Sequence, residues 1–174
     1  MDVSEKRSQA ASARKKHRPI APAETEAVSK KRVVMGRAGQ WFAVRDAFLK
    51  SSAARQIEQI REGLGAGNLV GAAEALGVPQ ETVFGLVGLA STTAKRKVAK
   101  AETLDAPTTE RLARIGAIEK LAEETFGDRS LATQWLRTSN VGLGNVTPLS
   151  MLDTDIGCRE VSRILNAIAY GGVA

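Results

Sequence analysis

Residues 105–128 read DAPTTERLARIGAIEKLAEETFGD. Leu112, Ile115, Ile118, Leu121, Ala122 and Phe126 recur three and four positions apart, the spacing that gathers apolar side chains on one stripe of a helix. Asp105, Pro107 and the pair Thr108 and Thr109 mark a linker and a helix start, and Gly127 a stop. The segment therefore predicts a helix over 109–126, the longest in the chain.

The same period continues on both sides. Toward the N-terminus, 41–49 carries Trp41, Phe42, Val44, Ala47, Phe48 and Leu49, which suits a helix or an irregular docking segment. Ile57, Ile60 and Leu64 lie at helical spacing and run into Gly63, Gly65 and Gly67. These glycines read as a stop, because a dinucleotide fingerprint needs a third glycine where Val70 stands and a strand ahead of it. Asn68 is placed to cap a helix whose Leu69, Ala72, Ala73 and Leu76 share a face, with Gly77 closing it. Pro79 opens the next, running to about residue 87 with Val83, Phe84 and Val87 inward. After a turn at Gly88 and Leu89, Ser91 or Thr92 caps a helix over 93–100. Toward the C-terminus, Asp128 caps a short helix with Leu131, Trp135 and Leu136, and 139–145 is a Gly/Asn loop. Thr147 and Pro148 begin another turn, and a last helix over 154–169 places Val161, Ile164, Leu165 and Ile168 on one stripe. Aromatic residues are 4% of the chain and alternating β-branched runs are scarce, so the expected fold is all-α: a helix-turn-helix module followed by a small C-terminal helical domain.

Charge divides the chain differently. The formal net charge of +6 lies wholly in residues 1–38, where ten Lys and Arg face four acidic residues; the remainder balances to zero. With few large apolar side chains, 1–38 cannot bury enough surface to offset its ordering entropy. It reads either as a solvated tail or as an electrostatic arm on nucleic acid. Three regions are thus expected: the basic tail 1–38, a helix-turn-helix region 39–104, and a partner-binding domain 105–174.

Catalytic parts are scarce. His17, the only histidine, lies in the basic tail, so no Ser–His or Cys–His pair is preorganised. Cys158, the only cysteine, reads as a small packing residue, although the start of a helix could lower its pKa. The carboxylates sit among Lys and Arg at helix-surface spacings, and no metal cluster is evident. No apolar run near 18 residues exists to span a bilayer and no apolar core follows the basic N-terminus, so a cytoplasmic binder without a cofactor is expected rather than an enzyme.

Residues 82–98 have the outline of a helix-turn-helix. Gly88 permits a positive φ, Leu89 tucks inward, and Ser91, Thr92, Thr93, Lys95, Arg96 and Lys97 are placed to meet phosphates or base edges. The same residues also suit a solvated basic face on an ordinary bundle. Ala94 stands where a larger apolar anchor is usual, which implies shallow packing or altered docking.

An ordered string closes the chain: Thr125-Phe126-Gly127-Asp128, Ala132, Trp135-Leu136, Leu143-Gly144, Thr147-Pro148-Leu149, Leu152-Asp153-Thr154, Gly157, Arg159-Glu160-Val161, Leu165, Tyr170-Gly171. This string resembles the C-terminal toxin-binding domain of the Xre/MbcA/ParS antitoxin family, and the helix-turn-helix sits where those antitoxins carry theirs. Asn145 replaces the second glycine of the family's usual pair and still tolerates a left-handed conformation. The resemblance covers about 70 residues at the end and about 110 with the helix-turn-helix. It leaves the tail and 41–49 unassigned.

The resemblance implies two partners, a cognate toxin and operator DNA. The family's toxins act on NAD, by breaking it down, as RES-type toxins do, or by transferring ADP-ribose to a protein; a RES-type toxin is the expected partner, and the antitoxin occupies the toxin and represses their shared operon. A homodimer is expected, since one short recognition helix contacts too few bases. Physically, Tyr170, Gly171 and Gly172 suit threading into a cleft, with the carboxylate of Ala174 meeting cations and Arg159, Arg163 and Asn166 giving specificity. The same terminus also suits frayed chain with Gly171 as a helix cap. A plain helix-turn-helix regulator whose C-terminal domain only dimerises is the alternative, and a neighbouring toxin gene would separate the two.

Overall fold

The computed structural model describes residues 36–171. The tail 1–35 and the terminal residues 172–174, including Gly172 and the Ala174 carboxylate, lie outside the described residues. Among the described residues there are helices and turns but no strand; the nearest approach to one is a pair of isolated bridges, Gly65 with Thr103 and Asn140 with Val146. The helices are α1 Arg37–Lys50, α2 Ala53–Glu62, α3 Gly67–Leu76, α4 Gln80–Leu86, α5 Ser91–Ala99, α6 Ala106–Phe126, α7 Arg129–Arg137 and α8 Asp155–Ala169. Two 3-10 turns, Val141–Leu143 and Pro148–Met151, connect α7 to α8.

The all-α expectation holds, and its start signals work where a side chain makes the cap. Asp105 accepts the Thr108 N–H at 2.9 Å, so α6 starts at Ala106 rather than at 109. Asp128 accepts from Leu131 and Thr154 from Gly157 in the same way at the starts of α7 and α8. Two expected caps are not used. Asn68 donates its side-chain amide to the Gly65 carbonyl, leaving Ala66 at the head of α3. Neither Ser91 nor Thr92 caps α5: the Ala90 carbonyl accepts the Ala94 N–H at 2.9 Å, and the helix begins two residues early without a capping side chain. Pro79 is likewise the residue before α4 rather than its first.

One core runs through the whole described chain, from Trp41 in α1 to Leu165 in α8. Val83, Phe84, Leu112, Ile115, Val161, Ile164 and Leu165 are buried as their spacing requires. Ile57 and Ile168 lie on the expected stripes but remain exposed, at 49% and 38%, and α2, with Ile60 half-buried, has no fully buried side chain. Helical spacing marks an apolar face; it does not guarantee that another element covers it.

The segment 41–49 is the central part of α1, which packs along α3 and against α6. Trp41 is 1% exposed and lies between two glycines: a Cβ on Gly71 of α3 would come within 2.9 Å of the Trp41 Cβ, and one on Gly116 of α6 within 3.0 Å of its ring. Its indole N–H donates to Glu119 Oε2 at 2.7 Å. Glu119, itself 3% exposed, faces Arg45 Nη1 at 3.1 Å, and Arg45 holds Glu123 with two parallel bonds of 2.8 and 3.0 Å. Burial alone would lower the Arg45 pKa, but Glu123, Glu119 and Asp46 outweigh it and hold the guanidinium charged. Burial pushes the Glu119 carboxyl up, against the pull of Arg45 and the Trp41 N–H.

Arg45→Met should leave the Glu119 carboxylate buried without its countercharge and cost about 3–5 kcal/mol in urea unfolding. A carboxyl whose folded pKa lies above its unfolded one stabilises at low pH and loses that contribution as pH rises through the folded value. The deficit of the variant should therefore grow from pH 5 to pH 8, whereas a constant deficit would mean that loss of Arg45 does not push the Glu119 carboxyl any further up.

Candidate functional site

Two helix–turn–helix units share α4. The first joins α3 to α4 through Gly77, Val78 and Pro79, with Gly77 left-handed at φ +62 and the Val78 N–H returning to the Ala73 carbonyl at 3.0 Å. The second joins α4 to α5 across Val87 to Ala90, with Gly88 at φ +74 and the Leu89 N–H returning to the Phe84 carbonyl at 2.8 Å. Only the second was apparent from the sequence. The first places the half-buried Gln80 and the exposed Glu81 and Thr82 at the start of α4, where the second helix of such a motif meets base edges. An arginine clamps each turn: Arg137 of α7 donates to the Gly77 carbonyl at 2.7 Å, and Arg111 of α6 to the Val87 carbonyl at 3.1 Å.

On α5, Thr92, Lys95 and Arg96 face outward, while Ser91, Thr93 and Lys97 are half-buried. Lys95 reaches across to Glu81 at 2.8 Å, linking the outer faces of α4 and α5, and its hydrogen bond holds the Glu81 carboxyl below the usual range. Arg96 pairs with Glu102 at 2.6 Å. Lys97 is bent toward Glu102 and the Thr103 carbonyl, bracing the entry to α6. Ala94 is fully buried against the core, so α5 docks closely through a small side chain rather than through a bulky anchor.

The second surface is built by α6 and α8. Gly157 in the first turn of α8 lets the helix press on the second 3-10 turn: a Cβ there would stand 1.9 Å from the Met151 carbonyl oxygen. The outer face of α8 carries Arg159, paired with Asp155, Arg163, 2.6 Å from Glu160, and Asn166. These three residues line one groove of about 580 Å³ with Arg114 and Ala117 of α6. Tyr170 follows α8 and is 88% exposed, and Gly171 adopts φ +67, as a terminal helix cap does. Cys158 lies buried on α8, and burial pushes its thiol pKa up rather than down. Asn145, in the Gly144 position pair, is left-handed at φ +64, as its tolerance for that conformation allows. No group of three or more potential metal-ligating side chains occurs among the described residues. No helix among them is long and apolar enough to cross a membrane.

The profile of the family described as "Antitoxin Xre/MbcA/ParS C-terminal toxin-binding domain" matches residues 121–171, and that of the "Antitoxin Xre-like helix-turn-helix domain" matches 55–116. A Prs ADP-ribosylating antitoxin of a Sphingobium species is 32% identical over 152 residues, covering 82% of this chain and 95% of that protein. The chain belongs to the Xre/MbcA/ParS antitoxin family. Shorter similarity reaches an antitoxin Xre of Photorhabdus laumondii, 39% identical over 66 residues, and one of Pseudomonas putida, 32% over 79. Those stretches cover 37% and 45% of this antitoxin, and about half the length of each relative.

A match over 82% of the chain takes in α1 wherever it begins, so the helix left unassigned by the family pattern is part of this antitoxin's shared body. Arg114 was also missed from sequence. It lies on the long helix between apolar positions, and nothing local separates it from an ordinary solvated arginine. Gly157→Ala should displace α8 from the Met151 carbonyl and lower the melting temperature by several degrees. Gly85→Ala, on the open face of α4 with nothing within 4 Å, should instead raise stability by about 0.5–1 kcal/mol. A Gly157→Ala protein as stable as its parent would show that the approach of α8 is not tight.

Proposed function

We propose that this antitoxin neutralises a toxin that acts on NAD, covering the toxin's active site with the end of α8, and represses its own operon through the helix-turn-helix. The observation that carries the reading is the exposed end of α8. Arg159, Arg163 and Asn166 share its outer face, and Tyr170 stands almost wholly in solvent beyond it. An aromatic side chain of that exposure at the end of a rigid helix is suited to insertion into a cleft. Gly171 and Gly172 continue the terminus without Cβ atoms. The name of the Sphingobium relative couples antitoxin with ADP-ribosylation and favours an ADP-ribosylating toxin over the NAD-degrading RES type.

The test is co-expression with the toxin encoded beside the gene. Removal of residues 170–174 should abolish growth rescue while leaving the helical circular dichroism signal intact; rescue by the truncated protein would refute the reading.

Repression would use a dimer or a larger toxin complex, so that two short helices reach two half-sites. The modules are proposed as 39–104 for DNA and 105–174 for the toxin, with the tail 1–38 as an added electrostatic arm. Within the DNA face, Ser91, Thr92, Thr93, Lys95, Arg96 and Lys97 supply phosphate contacts, and the start of α4 reads bases. Replacing Lys95 and Arg96 by Ala should then weaken binding to all duplexes alike and reduce the magnitude of the salt slope by roughly one per lost phosphate contact. Replacing Gln80 and Thr82 by Ala should instead relax sequence preference at constant salt slope. Gel-shift titrations on operator and scrambled duplexes read both, and an unchanged salt slope in the first variant would move the phosphate contacts elsewhere.

A further inference from the structure

The groove between α6 and α8 holds an unfinished arrangement of charge. Arg114 has its Nε enclosed from solvent with no hydrogen-bond acceptor, although buried polar nitrogens are nearly always partnered. Its nearest acid is Asp155, 3.4 Å from Nη1, and that carboxylate is also engaged by Arg159. Three arginines, Arg114, Arg159 and Arg163, line the groove with one carboxylate, Asp155, while Glu160 beside it pairs with Arg163. The pairs that Arg159 and Arg163 make are short-range and exposed, of the kind that contributes little and exchanges readily for a better partner. Beneath the arginines the floor is apolar, formed by Ala117, Ile118 and Cys158.

We propose that this groove binds an acidic, amphipathic peptide segment of the partner toxin, whose carboxylate pairs with Arg114 and whose apolar side chains cover Ile118 and Ala117. Guanidinium groups match carboxylates in a two-bond geometry. A phosphate backbone satisfies the charge but brings nothing to cover the apolar floor, so a peptide fits the whole lining and nucleic acid only its rim. A space of about 580 Å³ accommodates a few side chains. The groove adds Arg114 and the apolar floor to the α8 face already proposed to meet the toxin, and it rests on the toxin-neutralising reading in naming the toxin as the source of the segment.

The experiment uses the full-length chain and two peptides labelled at the N-terminus, fluorescein-LEELLE-amide and its counterpart fluorescein-LQQLLQ-amide with uncharged side chains, read by anisotropy. The glutamate peptide should bind, and the glutamine peptide should bind at least tenfold more weakly. Arg114→Gln should weaken the glutamate peptide by about tenfold. Arg163→Glu, on the exposed rim, should weaken it similarly and guards against a folding defect in the Arg114 variant. Equal binding of the two peptides, or no effect of either substitution, overturns the proposal. A 20-base-pair duplex serves as the other arm: loss of duplex binding in Arg114→Gln, with peptide binding unchanged, would show that the groove serves phosphate and overturn it as well. Growth rescue by Arg114→Gln and Arg163→Glu in co-expression separates this contact from the terminal one. If truncation at residue 170 abolishes rescue while both groove variants retain it fully, the toxin-neutralising reading stands and the groove proposal falls.

Discussion

Trp41 carries a polar nitrogen into a core that water does not reach, and an unpaired N–H there would cost as much as a lost hydrogen bond. Glu119 accepts that bond at 2.7 Å, which places a carboxylate in the interior. A buried carboxylate needs a cation, and Arg45 supplies it from one turn further along α1. Arg45 in turn has donors to satisfy, and Glu123 and Asp46 take them. Each member answers the desolvation of the one before, so α1 and α6 are held in a single register by a network that tolerates no partial version of itself. The glycines at 71 and 116 make the approach possible, and Arg129 of α7 reaches the same region by stacking 4.1 Å over Phe42.

From this register α6 becomes the spine of the molecule. Its stripe meets α2, α3, α7 and α8 as well as α1, and the matched family segments 55–116 and 121–171 meet within it. The two turns that aim α4 are capped by arginines, Arg111 from α6 itself and Arg137 from α7. A carbonyl at a helix end gains from a neighbouring cation, so these contacts tie the turn geometry to the helices that follow. The helix-turn-helix and the α6–α8 groove therefore share one continuous core rather than hanging from a linker.

What could be read from the sequence follows the range of the interactions involved. The cap at Asp128, the stop at Gly127 and the left-handed Asn145 depend on neighbours within a few residues, and each stands where it was expected. The all-α class and the C-terminal family string were legible for the same reason. The role of Trp41 was not, because its acceptor lies 78 positions away. The early start of α5 escaped because its first bonds are made by backbone alone, with no capping side chain to announce them. Of the residues expected to contact a toxin, Arg159, Arg163 and Asn166 do share a face, as a helical repeat predicts. Their neighbour Arg114 comes from another helix, and no local spacing could have joined it to them.

Arginine illustrates how surroundings decide a role that the residue type leaves open. Arg45, 2% exposed and chelated by carboxylates, is fixed in place, since moving it would strand charges that nothing else can reach. Arg111 and Arg137 meet neutral carbonyls at helix ends and hold turns with directional bonds that leave part of the guanidinium in solvent. Arg159 and Arg163 pair only with acids one turn away on their own helix, an arrangement that keeps them hydrated and extended at little energetic gain. A cation held that weakly loses almost nothing when it turns to a new acceptor, so the outer face of α8 can change partners while the α1–α6 network beneath it cannot. The division of labour between a rigid spine and an exchangeable charged face thus comes from burial alone, acting on one kind of side chain.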